Sequence, residues 1–370
     1  MMTRKLERFS PEKIYQSLII IVLTPEQIQT VQTPPHIYSD QTEVLAVHWH
    51  PEYVPMPLIK KRIDGSFPNR KTELIIPTNH NVIDSYNDYC GVEVDCYSKS
   101  FNRKVQLLIH FSKDKLSKTS FFKKILKHTF HYRSTQLHEF IDAILEEKSE
   151  PLLQKAAVVC GADKELIAFV REHTSTLKDL IRQFESQTPP EILKNKIVRN
   201  YFDALREFYP DVLINRAQAF LKCIKEEVKA HFDLTYFYET QEIIEEVRGF
   251  GGGIVIPHPE QFWPILLAGY DVDGIEVWNP QSRDFTEFLI QAVTDQNKSR
   301  RRKNKELLIF MGDDTHMSEK IRDPLYRDPE KSSRELGVQP AWEDPAIELR
   351  LRKLRIGRQS TIEEYKHRIT

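Results

Sequence analysis

The chain has 370 residues, enough to bury a large core in one elaborated domain or in two to three smaller ones. Its 53 basic and 54 acidic side chains nearly cancel, so the overall charge gives no argument for nucleic acid or a membrane surface as a partner. The four cysteines show no C-x-x-C pair, which argues against a zinc ribbon or a disulfide scaffold and suits a cytoplasmic protein. The apolar stretch at 18–23 is too short to span a bilayer, and we expect no membrane partner.

Residues 1–43 are predicted to form an N-terminal extension, and residues 44–112 then show a repeated pattern. Short apolar runs closed by Gly or Pro are typical of buried strands in a parallel sheet. Four such runs each lead to a side chain that can bind a metal ion. The runs and these side chains are 44–47 with His48 and His50, 74–77 with His80, 91–92 with Glu93, and 105–109 with His110.

Residues 113–235 have a different character and are predicted to be helical. Apolar residues recur three or four positions apart, as at Ile197, Tyr201 and Leu205. The predicted helices are 115–130, 134–147, 163–172, 176–187, 191–208 and 212–231. We interpret this block as a helical insertion that forms a lid on the catalytic face of a barrel, where such insertions are usual.

The strand pattern resumes between residues 236 and 318. A helix at 239–249 is followed by strands near 253–257, 273–278 and 306–311, with helices at 260–269 and 284–298 between them. This alternation is typical of βαβ units and predicts a parallel sheet or barrel. The first of these strands leads to His258, and the last leads to Asp314 and His316. Residues 319–370 are predicted to be a polar and basic helical tail.

The side chains at the strand ends predict a multinuclear metal centre, because the carboxyl ends of barrel strands meet on one face. His48 and His50 would share one face of a strand, with Trp49 on the other. Glu93 has two carboxylate oxygens and is the natural bridge between two ions. Imidazole and carboxylate ligands without a thiolate favour zinc, manganese or iron over calcium.

The order of these motifs resembles the polymerase-and-histidinol-phosphatase (PHP) family of metal-dependent phosphoesterases. The matching segments are His48-Trp49-His50, Asn79-His80-Asn81, Gly91-Val92-Glu93, His110, Gly252-Gly253 with Pro257-His258-Pro259, and Gly312-Asp313-Asp314-Thr315-His316. The resemblance covers 44–112 and 236–318. It implies an α/β fold, a distorted (β/α)7 barrel of PHP type with a large helical insertion, and two or three divalent metal ions.

The resemblance also implies three ligand sets in this chain. His48, His50, Glu93 and Asp314 would hold one ion, Glu93 would bridge to a second ion held by His110 and His258, and His80 and His316 would belong to a third. Two features depart from the family pattern. Pro55 and Met56 stand where the family usually has a further Asp or His ligand, and Asn79 replaces an Asp. Since Glu52 is near enough to substitute, both a binuclear and a trinuclear centre stay open.

We therefore expect a cytoplasmic phosphoesterase that hydrolyses a phosphate monoester, such as a nucleotide or another small phosphometabolite, because a lidded site suits a small substrate. The metal ions would lower the pKa of a bound water, and His80 or His316 would protonate the leaving alkoxide. A nuclease acting on DNA or RNA ends is the first alternative. A non-catalytic regulatory module on an inherited barrel is the second.

Three nearby features are given simpler interpretations. Glu276 ends a predicted strand and is expected to support the site rather than to bind a metal, and Asp313 is expected to belong to the turn that carries Asp314. The basic run 298–303 joins a helix to a strand, which in a barrel lies opposite the active site, so it is interpreted as solvated surface.

Overall fold

The computed structural model describes residues 10–300, 305–322 and 327–370 of a mixed α/β protein. The chain divides into two compact units. The helical unit comprises Met1–Val22, described from residue 10, and His131–Asp233, whereas the sheet unit comprises Leu23–Phe130 and Leu234–Thr370. Of the described helices, none combines the length and the apolar character that crossing a lipid bilayer requires.

The helical unit buries its own apolar core. Its helices are α1 (Pro11–Ile19), the second part of α4 (Ser120–Leu145), α5 (Glu150–Cys160), α6 (Lys164–Gln183), α7 (Lys196–Ala204) and α8 (Asp211–His231). In α6, Asp163 accepts a hydrogen bond from the backbone N–H of Leu166 and so caps the helix. The buried side chains of α6 then recur at helical spacing, as at Val170 and Leu177, and pack into this core.

The helix prediction omits α5 and is wrong in three further details. The structure has one continuous helix, α4, in place of 115–130 and 134–147, and one helix, α6, in place of 163–172 and 176–187. Neither segment contains a Pro or Gly that would end a helix, so the apolar spacing continues through the predicted gaps. The predicted helix at 260–269 is a pair of short 3₁₀ turns, Pro259–Gln261 and Trp263–Leu267.

The sheet unit contains all the strands and the remaining described helices. The strands are β1 (Glu43–Ala46), β2 (Trp49–His50), β3 (Thr72–Ile75), β4 (Asp84–Tyr86), β5 (Tyr89–Ser98), β6 (Arg103–Ser112), β7 (Gly253–Ile256), β8 (Gly274–Trp278), β9 (Leu308–Met311) and β10 (Thr315–His316). The helices are α2 (Pro25–Gln32), α3 (Met56–Ser66), α9 (Thr240–Gly249), α10 (Thr286–Arg300), α11 (Met317–Lys320), α12 (Pro329–Ser333), α13 (Pro345–Lys353) and α14 (Arg358–Ile369).

The prediction of parallel strands throughout is correct for only part of the sheet. The main sheet has six strands in the order β4-β5-β6-β7-β8-β9, of which β7, β8 and β9 are parallel. The pairs β4–β5, β5–β6 and β6–β7 are antiparallel. Two further parallel pairs, β1–β3 and β2–β10, lie outside this sheet. In the described residues, the hydrogen-bonded ladders therefore form small open sheets rather than a closed ring of seven strands.

A short connection explains the antiparallel pairing of β5 and β6. Only Lys99–Phe101 and Asn102 separate the two strands, and Asn102 turns the chain with a φ of 49°. A parallel pair needs a crossover of a dozen residues or more, so a connection this short permits only a hairpin. As a result Glu93 lies in the middle of β5 rather than at the end of a strand.

The C-terminal residues form part of the main core of the sheet unit. The predicted tail is helical, as expected, but α14 buries Ile362, Tyr365 and Ile369 at helical spacing among the strands. Gly253 in β7 gives this helix room, because a Cβ there would lie 2.4 Å from Ile369 and 2.6 Å from the Tyr365 hydroxyl. The aromatic ring of Tyr365 also packs edge-on against Phe310 of β9.

Candidate metal centre

Two short parallel strands bring the first and last predicted ligand motifs together. In the β2–β10 pair, Trp49 lies beside Thr315 and His50 beside His316. Trp49 is fully buried in a separate apolar cluster, so the histidines that flank it, His48 and His50, point the other way. The pairing thus places the H-x-H and D-x-H motifs side by side.

A bridge between His80 and Glu93 adds the middle motifs. The two residues pair as an isolated parallel bridge, in which Asn81 N–H donates to the carbonyl of Glu93 and Glu93 N–H donates to the carbonyl of Asn79. This bridge holds His80 Nδ1 2.6 Å from Glu93 Oε2. Glu93 is almost fully buried, whereas His80 lies at the edge of the site.

Two further predicted ligands lie in turns with an unusual backbone. His258 has a φ of 30° and Asp314 a φ of 47°, both in the left-handed region that non-glycine residues seldom adopt. Strained backbone of this kind concentrates at functional sites, where the surrounding structure maintains it. The turn at Asp314 is held by its own N–H, which donates to the carbonyl of His48.

Seven of the eight predicted metal ligands come together in this unit. They form three overlapping groups whose ligand atoms lie within 4.8 Å of one another in each group. The groups are His50, His80 and His316; His48, Glu93 and His258; and His48, His50 and Asp314.

Three of the separations between ligand atoms suit a metal ion better than direct hydrogen bonds. His50 Nε2 lies 3.4 Å from Asp314 Oδ1 and 3.7 Å from Glu93 Oε2. His48 Nε2 lies 3.6 Å from Asp314 Oδ1. These values are longer than ordinary N–H···O bonds. Ligand atoms around a tetrahedral ion with bonds of about 2.1 Å lie roughly 3.4 Å apart.

The groups are compatible with two ions bound at once. A neutral imidazole has one lone pair, so His48 and His50 can each serve only one ion. The groups His50–His80–His316 and His48–Glu93–His258 share no residue. Glu93 presents Oε1 to His258 at 3.2 Å and Oε2 to His80, which is the arrangement of a bridging carboxylate.

His110 is the predicted ligand that the structure does not bring into these groups. It is fully buried, its Nε2–H donates to the carbonyl of Val47 at 2.9 Å, and its Nδ1 accepts from the Tyr365 hydroxyl at 2.8 Å. Burial lowers the pKa of His110 to about 3, which keeps the ring neutral. Here His110 joins β6 to the strand before His48 and to α14, and no lone pair is left for a metal.

Asn79, which replaces the family's Asp, forms a hydrogen-bonded network with Glu52. Asn79 donates to a carboxylate oxygen of Asp84 and accepts from the backbone N–H of Glu52. The carboxylate of Glu52 accepts from the backbone N–H of Ser318, the second residue of α11. The network joins the loops after β2, β3 and β10, so it supports the edge of the site that His316 occupies.

The turn that carries Asp314 is fixed by the segment after α12, which belongs to the predicted C-terminal tail. Arg334 is buried, and its Nη1 donates to Asp314 Oδ2 at 2.8 Å and to the Asp314 carbonyl at 3.2 Å. Asp313 accepts from the backbone N–H groups of Thr315 and Gly337. Asp313 thus belongs to the turn, whereas Asp314 turns its other oxygen, Oδ1, towards the histidines.

Arg334 is held in place by buried charges behind it. Glu335 forms a two-pronged ion pair with Arg62 of α3 and accepts from Lys320 of α11. Lys320 also donates to the carbonyls of Ser332 and Arg334. No sequence motif indicated this network, since its members are far apart and of types that usually lie on the surface.

The electrostatics of the cluster keep both carboxylates ionised. Burial opposes ionisation of Glu93 and Asp314, but the surrounding histidines outweigh it and lower the pKa of both groups. Burial also opposes charge on His48, yet the carboxylates of Glu276 and Asp314 raise its pKa to about 10. His50 has His316 and His80 as neighbours, and burial together with their charge lowers its pKa to about 3.

The cluster opens to solvent on one side. His48, His50 and Glu93 are about 1% exposed, whereas His80 and His316 are 22% and 24% exposed. A cavity of about 100 Å³ lies beside His258 and is lined by Lys104, Val105, Gln106, Pro257, Pro259, Gln261, Phe262 and Ile265. A ligand can therefore approach the ends of the cluster nearest His80, His316 and His258.

The basic run at 298–303 lies partly outside the described residues, which end at Arg300 and resume at residue 305. Lys298 pairs with Asp295 in the exposed part of α10.

No protein-family model and no curated protein matches this chain. Among solved structures it is similar to a protein from Bifidobacterium adolescentis described as a "putative metal-dependent phosphoesterase". The sequence identity is 13%, the match covers 91% of this chain and 98% of that chain, and the TM-score is 0.43. A likeness this distant does not bear on the activity of the chain.

Proposed function

We propose that the protein is a metal-dependent phosphoesterase of PHP type that hydrolyses a phosphate monoester. The proposal rests on the hydrogen bonding of the His50 ring. Among the described residues, neither ring nitrogen of this buried histidine has a hydrogen-bond partner. Buried polar groups are rarely left unpaired. Carboxylate oxygens of Asp314 and Glu93 lie 3.4 Å and 3.7 Å from His50 Nε2, which is close to the separation of two atoms bound to the same metal ion. A metal ion bound between these atoms would satisfy His50.

The residues present fit divalent cations with nitrogen and oxygen ligands. His48, Glu93 and His258 would hold one ion, and His50, His80 and His316 a second, with Asp314 within reach of both. Five imidazoles and two carboxylates without a thiolate favour zinc, manganese or iron. When bound at such a site, divalent ions lower the pKa of a coordinated water and stabilise the oxygens of a phosphate.

The chain itself contributes charge, orientation and a proton. Two carboxylates cannot neutralise two divalent cations, so the loaded centre would be positive and would favour a phosphate dianion. His80 and His316 are the exposed imidazoles of the cluster, and either can give its proton to the leaving alkoxide if a metal does not engage it. The cavity beside His258 gives room for the group that the phosphate esterifies.

The proposal is tested by purifying the protein, reconstituting it with Zn²⁺, Mn²⁺ or Fe²⁺, and assaying phosphate release from small phosphorylated metabolites and cleavage of oligonucleotides. We expect at least one phosphate monoester to be hydrolysed, with activity lost in His258→Ala and Asp314→Ala. Oligonucleotide cleavage without monoester turnover would replace the proposal with a nuclease. Sub-stoichiometric metal together with no turnover would favour a non-catalytic module.

A further inference from the structure

Glu276 lies in β8 directly behind the candidate metal centre, and its carboxylate is almost fully buried. Oε1 lies 2.8 Å from His48 Nδ1. Oε2 accepts from the backbone N–H of His258 at 2.8 Å and from the side-chain amide of Asn279 at 3.1 Å. One carboxylate therefore contacts two segments that carry metal ligands.

Both partners of Glu276 Oε2 are donors. The backbone N–H of His258 can only donate. The orientation of the Asn279 amide is fixed as well, because its oxygen accepts from the backbone N–H groups of Gln281 and Ser282. Its NH₂ group must then face Glu276. Oε2 therefore accepts both of these bonds, and Oε1 is the oxygen that faces His48.

These contacts determine the tautomer of His48. A carboxylate can only accept, so the proton of a neutral His48 must lie on Nδ1, where it donates to Glu276 Oε1. The lone pair is then on Nε2, the nitrogen that lies 3.6 Å from Asp314 Oδ1. A histidine that binds a metal usually donates its other N–H in this way, which fixes the ring and raises its basicity.

The chain leaves space for this contact at Gly312. A Cβ at that position would lie 1.6 Å from Glu276 Oε1 and 3.0 Å from His48 Nδ1. The carboxylate therefore occupies the volume that any other residue at position 312 would fill. Three elements of the fold, the β1–β2 connection, β8 and the end of β9, meet at this hydrogen bond.

We propose that Glu276 is a positioning residue of the metal centre, which holds His48 with its proton on Nδ1 and its lone pair directed at the metal position. The inference rests on the metal centre of the proposed function. Glu276→Gln is the informative change, since it keeps the shape and removes one acceptor. The new amide retains its contacts with His258 and Asn279 only by turning its NH₂ towards His48. His48 Nδ1 must then accept, so the proton moves to Nε2 and blocks the metal.

The tautomer is measured by long-range ¹H–¹⁵N correlation of the histidine rings in metal-free protein at a pH above about 10, because the raised pKa of His48 keeps both ring nitrogens protonated below that pH. His48 is assigned from the signals lost in His48→Gln. We expect an Nδ1–H tautomer in the wild type and an Nε2–H tautomer in Glu276→Gln. Titration with Co²⁺ should show affinity lower by about 10- to 100-fold in the variant. Gly312→Ala, which forces the carboxylate away from His48, should weaken Co²⁺ binding in the same direction.

Asp273→Asn is the matched control. Asp273 is a buried carboxylate that precedes the same strand and accepts from Arg248 and from the backbone N–H of Ile254. We expect this change to lower thermal stability without altering the His48 tautomer or the Co²⁺ affinity. An effect confined to Glu276 and Gly312 then reflects the contact with His48 rather than a general loss of buried charge.

The proposal is overturned if wild-type His48 carries its proton on Nε2, or if Glu276→Gln binds Co²⁺ as tightly as the wild type. The wild-type measurement decides the question even if both variants fail to fold. A wild type that binds no Co²⁺ but has the Nδ1–H tautomer would contradict the metal centre and leave the positioning by Glu276 supported. The two failures are therefore distinguishable.

Discussion

His110 is fully buried and His258 is partly buried. Both stand at predicted ligand positions, yet their surroundings differ. His258 Nε2 faces Glu93 at 3.2 Å within a ligand group, whereas both nitrogens of His110 bond to protein groups outside the cluster. A histidine next to a short strand can either bind a metal ion or form hydrogen bonds that stabilise the fold. Only the contacts of its two ring nitrogens distinguish these roles.

From this difference we expect the His110→Phe variant to bind as much metal as the wild type. The change leaves the Val47 carbonyl and the Tyr365 hydroxyl without their partner, so we expect it to lower the free energy of unfolding by about 1–3 kcal/mol. Metal content, measured by plasma mass spectrometry after reconstitution, should equal that of the wild type. His258→Ala is the control that should lose metal. Loss of a metal equivalent from a folded His110→Phe protein would restore the family-based role of His110.

The segment that follows α12 holds the turn at Asp313 and Asp314 in place, although its polar composition predicts an exposed tail. It supplies Arg334 to Asp314 and the backbone N–H of Gly337 to Asp313. The side chain of Arg334 is 5% exposed and that of Asp314 is 13% exposed, so the pair is shielded from solvent. Removing one member of a shielded pair costs far more than removing an exposed ion pair.

Arg334→Met should destabilise the metal-free protein by roughly 3–5 kcal/mol, because Asp314 loses its buried counter-charge. A divalent ion restores positive charge beside the same carboxylate. Adding Zn²⁺ or Mn²⁺ should therefore raise the melting temperature more in the variant than in the wild type. Differential scanning fluorimetry with and without metal measures this difference.

Arg352→Met provides the comparison, since Arg352 pairs with Glu348 in α13 and its side chain is 74% exposed. Such a change should alter stability by no more than about 0.5 kcal/mol. Equal metal-induced shifts in the wild type and Arg334→Met would show that Arg334 and the metal do not act on the same carboxylate.

The helical unit contains a titratable group that predicts a dependence of stability on pH. His173 of α6 packs against the rings of Phe169 and Tyr209, and burial lowers its pKa below 6.5. The unfolded chain then binds a proton more readily than the folded chain does. The contribution of His173 to stability is complete above pH 6.5 and is lost as the pH falls towards the lowered folded pKa.

His173→Phe removes this pH-dependent contribution to stability. Between pH 7.5 and pH 5, the melting temperature of metal-free wild-type protein should fall further than that of the variant. Because the other titrating groups are common to both proteins, the difference between the two falls isolates His173. An identical fall in both would mean that His173 stays accessible to protons in the folded state.

For the whole molecule, the sequence predicted which side chains come together better than it predicted the architecture. His48-Trp49-His50 and Asp314-Thr315-His316 are local motifs with alternating side chains, and their pairing as β2 and β10 follows from strand geometry. The antiparallel β5–β6 hairpin could also have been predicted, because the four-residue connection is too short for a crossover. It was missed because each short apolar run was interpreted as a parallel strand.

Other features of the structure could not be predicted from any local pattern in the sequence. The role of Arg334 depends on ion pairs with residues far away in the sequence, and the Tyr365–His110 contact depends on how α14 packs. Long-range contacts of this kind are set by tertiary structure rather than by periodicity. That residues 113–235 act as a lid and that the strands form a PHP-type barrel stay predictions.

We propose above that the cluster around His50 binds divalent metal ions. The most direct measurement is anomalous diffraction from crystals grown with Mn²⁺ or Zn²⁺. We expect peaks at about 2.0–2.2 Å from a His50 ring nitrogen and from carboxylate oxygens of Glu93 or Asp314. A map without a peak in this cluster, in which His50 instead forms hydrogen bonds to protein groups or water, would contradict it.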